Sequence, residues 1–147
     1  MSDVPLIELK NVTKMFRIGG GVFTKPKFIK AVDDVSLQLH KGETFSLVGE
    51  SGCGKSTLGR IMLGLTKPTY GQVLFNNKDI WRMNKKEFIE FRRNAQIIHQ
   101  DPYDALNPMR TVYDSLAPPL LRYKIAKNHK EAREVVCKLL ELSLIHI

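Results

Sequence analysis

The amino-acid sequence predicts an α/β fold, and three observations carry this prediction. Runs of β-prone residues with alternating apolar side chains occupy much of the first hundred positions. A glycine-rich stretch, GESGCGKST (49–57), separates one such run from a segment with helical periodicity. Beyond about residue 102, in the part of the chain that begins with the proline-bounded loop DPYDALNP, all the predicted elements are helices. The sequence therefore predicts an α/β core over residues 1–101 and the beginning of an α-helical subdomain over residues 102–147.

Each predicted element has its own local signal. Strands are predicted over LIELKNV (6–12), AVDDVSLQL (31–39), TFSLVG (44–49), QVLFN (72–76) and AQIIH (95–99). Glycine and proline in the stretch 18–27 indicate a loop between the first two strands. One helix is predicted from the apolar face formed by Leu58, Ile61, Met62 and Leu65.

Three further helices are predicted from capping signals. The pairs that indicate capping boxes are Asn84 with Glu87, Thr111 with Asp114, and Asn128 with Glu131. The last pair precedes an amphipathic face made of Ala132, Val135, Val136, Leu139 and Leu140.

Length and composition are those of one soluble domain. The chain has 147 residues, of which 43% are hydrophobic and 26% charged, so it can bury one core. No apolar run approaches the roughly 18 residues that a membrane-spanning helix needs. The start, MSDVPLIELK, lacks the basic segment of a secretory signal. We therefore expect a cytoplasmic protein, and its two widely spaced cysteines predict no disulfide.

The net charge of +8 permits nucleic acid, an anionic membrane surface or a phosphate ligand as a partner. Most basic residues are scattered, and the one cluster is KPKFIK (25–30), which is typical of either a solvated loop or a binding patch. The basic residues are not interleaved with the aromatic residues typical of a nucleic-acid surface. We therefore do not expect nucleic acid as a partner.

The glycine-rich stretch fits the pattern G-x-x-x-x-G-K-S/T of a phosphate-binding loop, or P-loop. Glycines allow successive backbone N–H groups to point into one concavity, and the following helix N-terminus favours an anion. Lys55 then supplies a charge for the β- and γ-phosphates, Ser56 offers a hydroxyl to Mg²⁺, and Thr57 reaches the α-phosphate. The predicted phosphate site comprises Gly49, Glu50, Ser51, Gly52, Cys53, Gly54, Lys55, Ser56 and Thr57.

The motifs that distinguish the classes of P-loop protein are less complete. A guanine-specific N-K-x-D motif is not found, since Asn84 to Glu87 fit a helix cap better. Hydrolysis also needs an acidic Mg²⁺ partner after an apolar strand, and no aspartate here follows four consecutive apolar residues. The sequence thus predicts binding of a nucleotide more firmly than its hydrolysis.

Three stretches resemble the ATP-binding subunits of ABC transporters, particularly those of the oligopeptide and dipeptide importers. They are residues 31–65, PTYGQVLFNNKDI (68–80) and QDPYDALNPMRTV (100–112), within a resemblance that covers nearly all of residues 5–142. It implies a P-loop ATPase core that binds ATP and Mg²⁺, with N-terminal antiparallel strands. It also implies a role for the chain in importing peptides or similar small solutes.

The resemblance assigns two more residues to the site. Gln100 corresponds to the Q-loop glutamine, which contacts Mg²⁺ or the attacking water and links the site to the transmembrane partner. Read alone, Gln100 is a polar residue at a strand end. Phe16 corresponds to the aromatic residue that stacks on adenine, and its alternative is a core phenylalanine.

The resemblance also implies partners. These are two transmembrane permease subunits and a second ATP-binding subunit that completes a dimer. The implied location is the cytoplasmic face of the membrane.

The chain departs from the family where hydrolysis is concerned. The signature motif, the Walker B aspartate with its catalytic glutamate, and the switch histidine are expected further along such a chain and are absent here. We expect the chain alone to bind ATP without the residues that hydrolyse it. The alternative is a non-hydrolysing regulatory module that pairs with full-length subunits. Because the last residues, SLIHI, do not resemble the family, we expect a truncated or out-of-frame end and an incomplete parallel sheet.

Overall fold

The computed structural model describes residues 4–20, 25–99 and 106–143 of the chain. Its elements are β1 (Ile7–Ile18), β2 (Lys27–Leu39), α1 (Lys55–Met62), β3 (Tyr70–Phe75), β4 (Lys78–Asp79), α2 (Lys85–Asn94), α3 (Val112–Arg122) and α4 (His129–Leu142). They fall into two compact units, residues 1–96 and residues 97–147. Within the described ranges no helix has the length and apolar character needed to span a bilayer.

The first unit is built on a four-stranded antiparallel sheet in the order β2-β1-β3-β4. Both predicted N-terminal strands are present, and they extend into the predicted loop because β1 and β2 stay paired as far as Ile18 and Lys27. The pairing is irregular near Asn11 and Asp34, whose φ angles are both 48°. The Asn11 side-chain amide donates a 2.9 Å hydrogen bond to the Asp34 carboxylate, which holds this bulge together.

The core of the first unit lies between the sheet and helices α1 and α2. Its buried residues are Leu9, Val12, Val32, Leu58, Ile61, Val73, Ile80 and Phe91. The ring of Phe91 meets that of Phe75 edge-on, with 5.2 Å between the ring centroids. Leu65, predicted on the apolar face of α1, is instead 45% exposed, because the helix ends at Met62 and Gly64 turns the chain at φ 62°.

Two predicted strands, residues 44–49 and 95–99, are not formed. A strand requires a partner that pairs with its backbone, and neither segment pairs with another within the described parts of the chain. Their apolar side chains are correspondingly exposed, with Val48 at 91% and Ile98 at 97%. The two strand predictions are therefore wrong, because they rested on β-propensity without a strand to pair with.

The capping box predicted for α2 is confirmed. The Asn84 side chain accepts hydrogen bonds from the N–H groups of Lys86 and Glu87, and the Glu87 carboxylate accepts one from the Asn84 N–H. Glu87 also accepts a 2.8 Å hydrogen bond from Lys78. The bond from Lys78 and then that from the Asn84 backbone lower the pKa of Glu87, so the carboxylate keeps its charge, and the cap, to a lower pH than an ordinary glutamate would.

The second unit consists of α3 and α4. Its buried residues are Ala117, Leu120, Ala126, Ala132 and Val136. The capping box of Thr111 and Asp114 is confirmed. At α4 only half of the predicted box forms, because Asn128 caps the Glu131 N–H while the Glu131 carboxylate accepts from Lys127 instead. The predicted boundary between residues 101 and 102 lies outside the described residues and stays a prediction.

Gly71 in β3 offers a test of the sheet. Its φ is +86°, and an added Cβ would lie 2.5 Å from the Lys10 carbonyl oxygen and closer still to that of Asn11. We expect Gly71→Ala to lower the free energy of unfolding by about 3–5 kcal/mol, measured by urea denaturation.

Gly42→Ala is the matched control, because Gly42 also has a positive φ (+82°) but no atom within 4 Å of an added Cβ. Gly42→Ala should lower the free energy of unfolding only by the strain of the positive φ angle, about 1–2 kcal/mol. Equal losses for the two variants would contradict the close packing of β3 on β1.

Candidate functional site: the glycine-rich loop

Residues 49–54 form a loop that is exposed as far as Cys53, turns over residues 51–54 and enters α1 at Lys55. The Cys53 N–H donates a 3.3 Å hydrogen bond to the Glu50 carbonyl, which closes the turn. Glu50, Ser51 and Gly52 are exposed at the crest of this turn. The structure therefore brings all nine residues of the predicted phosphate site into one continuous turn and helix start.

Gly54 fixes the position of the loop. It is the N-cap of α1, with φ 97° and ψ 0°, a left-handed conformation that side chains resist. A Cβ on Gly54 would also collide with the carbonyl oxygen of Ala31 in β2. Only glycine satisfies both conditions, so the helix start lies directly against the edge of the sheet.

Lys55 folds back across the loop. Its ammonium group donates hydrogen bonds to the carbonyl oxygens of Gly49 (2.6 Å) and Glu50 (2.5 Å). The Cys53 sulfur lies 3.4 Å from the same nitrogen. The loop thus surrounds a single positive charge with its own backbone.

The start of α1 places backbone N–H donors beside the Lys55 ammonium. The hydrogen bond from the Leu58 N–H to the Gly54 carbonyl (2.9 Å) is the first of the helix, so the N–H groups of Lys55, Ser56 and Thr57 precede it. The first turn of α1 contains no acidic residue. Free N–H groups, the helix dipole and the Lys55 ammonium therefore favour an anion at this place.

An open apolar cleft of about 410 Å³ adjoins the loop. Its lining combines Lys55 and Ser56 with Gly59 and the side chains of Leu37, Leu39, Phe45, Leu47, Leu58 and Met62. The cleft exists because the segment 44–49 runs beside α1 without a strand pairing to it among the described residues.

Phe16 is not a core residue. It is 43% exposed, and Lys14 lies over its ring with 5.1 Å between the ammonium nitrogen and the ring centroid. The same ammonium donates a 2.7 Å hydrogen bond to the Lys67 carbonyl, which holds it there.

Phe16 shares a face of the sheet with the helix that starts at the loop. Lys14 is the strand partner of Val32, which is buried in the cluster that contains α1 residues, and the Lys14 ammonium lies over the Phe16 ring, so Phe16 is on that face. The partner of Phe16 on β2 is Ile29, two residues before the Ala31 carbonyl that contacts Gly54. The Phe16 ring and the glycine-rich loop thus lie on the same face of the first unit.

Sequence reasoning missed Ala31, Ile29 and Lys14. Ala31 supports the loop through a backbone carbonyl, so its side chain carries no signal. Ile29 becomes the neighbour of Phe16 only through the register of the β1–β2 pair. The predicted site residue Gln100 lies outside the described residues.

Residues 32–146 match a protein family described as ABC transporter. The chain belongs to the ABC transporter family. The family resemblance expected from the sequence is therefore confirmed.

Curated relatives in this family are peptide-transport proteins by name. A putative oligopeptide transport ATP-binding protein, YkfD of Bacillus subtilis, is 41% identical over 146 residues, covering 99% of this chain and 43% of the relative. The oligopeptide transport ATP-binding protein OppF of the same organism is 46% identical, covering 92% of this chain and 43% of the relative. The chain thus spans less than half the length of these relatives.

Solved structures agree with the fold. A dimeric ATP-binding cassette, MJ0796, bound to ADP and Pi, has a TM-score of 0.73 and 30% identity, covering 95% of this chain and 58% of its own. Another dimeric structure of this cassette gives the same TM-score at 31% identity. The predicted α/β class, with an ATPase-like core and an incomplete sheet, is confirmed.

Proposed function

We propose that this chain is the nucleotide-binding portion of an ABC transporter ATP-binding subunit and that it binds ATP with Mg²⁺. The observation that carries the proposal is the loop itself, in which Gly54 lies against Ala31 and Lys55 lies among the loop carbonyls. An ammonium, free helix N–H groups and a glycine turn are the groups that a triphosphate needs.

Each residue of the site has a distinct task in this proposal. Lys55 exchanges its two carbonyl contacts for the β- and γ-phosphate oxygens, which are stronger acceptors because they are charged. The N–H groups of Gly52, Gly54, Lys55, Ser56 and Thr57 bind the remaining phosphate oxygens, while that of Cys53 keeps the turn closed. The exposed hydroxyl of Ser56, next to Lys55 at the start of α1, suits a Mg²⁺ ligand. Such an ion would neutralise charge between the β- and γ-phosphates.

Phe16 supports the same proposal at the place where the base of the nucleotide would stack. One side of its ring faces the Lys14 ammonium, and its exposed fraction leaves area for a base to stack. Its strand partner Ile29 is two residues from Ala31, whose carbonyl supports Gly54. Gln100 remains a proposed Mg²⁺ or water contact on the resemblance alone.

We further propose that the chain serves import of peptides or similar small solutes, as the names of its relatives suggest for those proteins. Its partners would be transmembrane permease subunits and a second ATP-binding subunit, at the cytoplasmic face of the membrane.

The second candidate is a non-hydrolysing nucleotide-binding module. It is favoured by the sequence, in which no aspartate follows four consecutive apolar residues as the acidic Mg²⁺ partner of a hydrolytic site would.

We expect Lys55→Ala to weaken binding of a fluorescent ATP analogue with a methylanthraniloyl label by about 10- to 100-fold, because charged hydrogen bonds are lost. Lys138→Ala, which removes an exposed lysine from α4, is the control and should leave the dissociation constant unchanged. Equal affinity of Lys55→Ala and wild type would overturn the assignment of the loop. A phosphate-release assay on the same samples separates the two candidates, since steady turnover would exclude the non-hydrolysing module.

The two cysteines provide an internal comparison, because both are exposed and only Cys53 belongs to the loop. We expect ATP at ten times its dissociation constant to slow alkylation of Cys53 by N-ethylmaleimide about tenfold, since bound phosphates would cover a sulfur 3.4 Å from the Lys55 ammonium. Cys137 should react at an unchanged rate, which peptide mass spectrometry can follow separately. Protection of both cysteines, or of neither, would count against phosphate binding at the loop.

A further inference from the structure

The end of the β1–β2 hairpin carries cations and exposed apolar side chains together. We define the hairpin end as residues 15–18 and 25–30, MFRI and KPKFIK. Its cations are Arg17, Lys25, Lys27 and Lys30, and none of its ten residues is acidic. The exposed fractions of its large apolar side chains are 57% for Phe28, 55% for Ile29, 48% for Ile18 and 43% for Phe16. The sequence alone left KPKFIK open between a solvated loop and a binding patch.

The strand register divides these side chains between two faces. Phe16 and Ile29 are partners and lie on the face of α1 and the glycine-rich loop. Arg17 is the partner of Phe28, and Met15 is the partner of Lys30. These four residues alternate with Phe16 and Ile29, so they lie on the opposite face. That outer face pairs each apolar side chain with a cation, away from the nucleotide site.

The charges of the hairpin end are largely uncompensated. Lys30 pairs with Asp33 at 2.8 Å, but both side chains are at least half exposed, so the pair contributes little. Within the described residues no ion pair involves Arg17, Lys25 or Lys27. The patch is therefore positive as well as apolar.

We propose that the hairpin end docks on an anionic membrane surface. Arg17 and Lys30 on the outer face contact acidic lipid headgroups, and the Phe28 ring beside them enters the boundary between headgroups and acyl chains. Amphipathic cationic surfaces bind bilayers in this way, with the long basic side chains reaching the headgroups. A nucleic acid would also attract the cations, but it favours a row of stacking aromatic rings, whereas the outer face offers one phenylalanine beside methionine.

The test measures co-sedimentation of the full chain with vesicles of phosphatidylcholine, with and without phosphatidylserine. Binding should require phosphatidylserine and should fall as salt rises from roughly 0.1 to 0.5 M, because salt screens the attraction. The double variant Arg17→Gln/Lys30→Gln, which removes both cations of the outer face, should reduce the partition coefficient about 25-fold, at about fivefold per cation. The matched control, Lys130→Gln/Lys138→Gln, removes two exposed lysines from α4 and should change the coefficient less than twofold. Equal losses in the two double variants would overturn the proposal.

A second variant reports on the apolar part. In Phe28→Trp, made together with Trp81→Phe because the chain's own tryptophan would also emit, the emission at position 28 should shift to the blue with phosphatidylserine vesicles and stay unshifted with a single-stranded oligonucleotide. Circular dichroism of each variant would establish that it remains folded. An emission that does not shift with vesicles, or a shift produced by the oligonucleotide instead, would overturn the membrane assignment.

Discussion

The approach of Gly54 to the Ala31 carbonyl is the contact on which the rest of the site depends. It holds the first turn of α1 against β2 and so sets where the Lys55 ammonium and the helix N–H groups lie. The same strand carries Ile29, whose partner is Phe16. One backbone contact therefore relates the phosphate end of the proposed site to the base end. The buried core of the first unit holds α1 in this position against β2, because both elements contribute buried residues to it.

The apolar cleft beside the loop follows from the same arrangement. The segment 44–49 leads into the loop and exposes Phe45, Leu47 and Val48, since no strand pairs with it in the described part of the chain. Curated relatives are more than twice as long as the region that matches this chain. The outer face of the hairpin end, with Met15, Arg17, Phe28 and Lys30, adds a surface on the opposite face of the sheet.

The sequence predicted the fold best where one local signal was enough. Spacing of glycines with Lys55 located the loop, and the pairs Asn84–Glu87 and Thr111–Asp114 located helix starts, because these patterns act within a few residues. The predictions were wrong where the structure depends on which strand or which hydrogen-bonding group a segment pairs with. Residues 44–49 have strand propensity but no strand beside them, and Glu131 bonds to Lys127 instead of Asn128. The supporting role of Ala31 depends on tertiary packing, which no periodicity encodes.

The most direct measurement of the central claim is a titration of the ¹⁵N-labelled chain with Mg²⁺ and ATP, followed by amide resonances. The account predicts that the largest changes fall on the amides of Gly52 and of Gly54 to Thr57, whose N–H groups would bind phosphate. Smaller changes are predicted at Phe16 and Ile29, and none in α4. Saturable ATP binding that leaves the amides of Gly52 to Thr57 unshifted would contradict the claim that this loop holds the nucleotide.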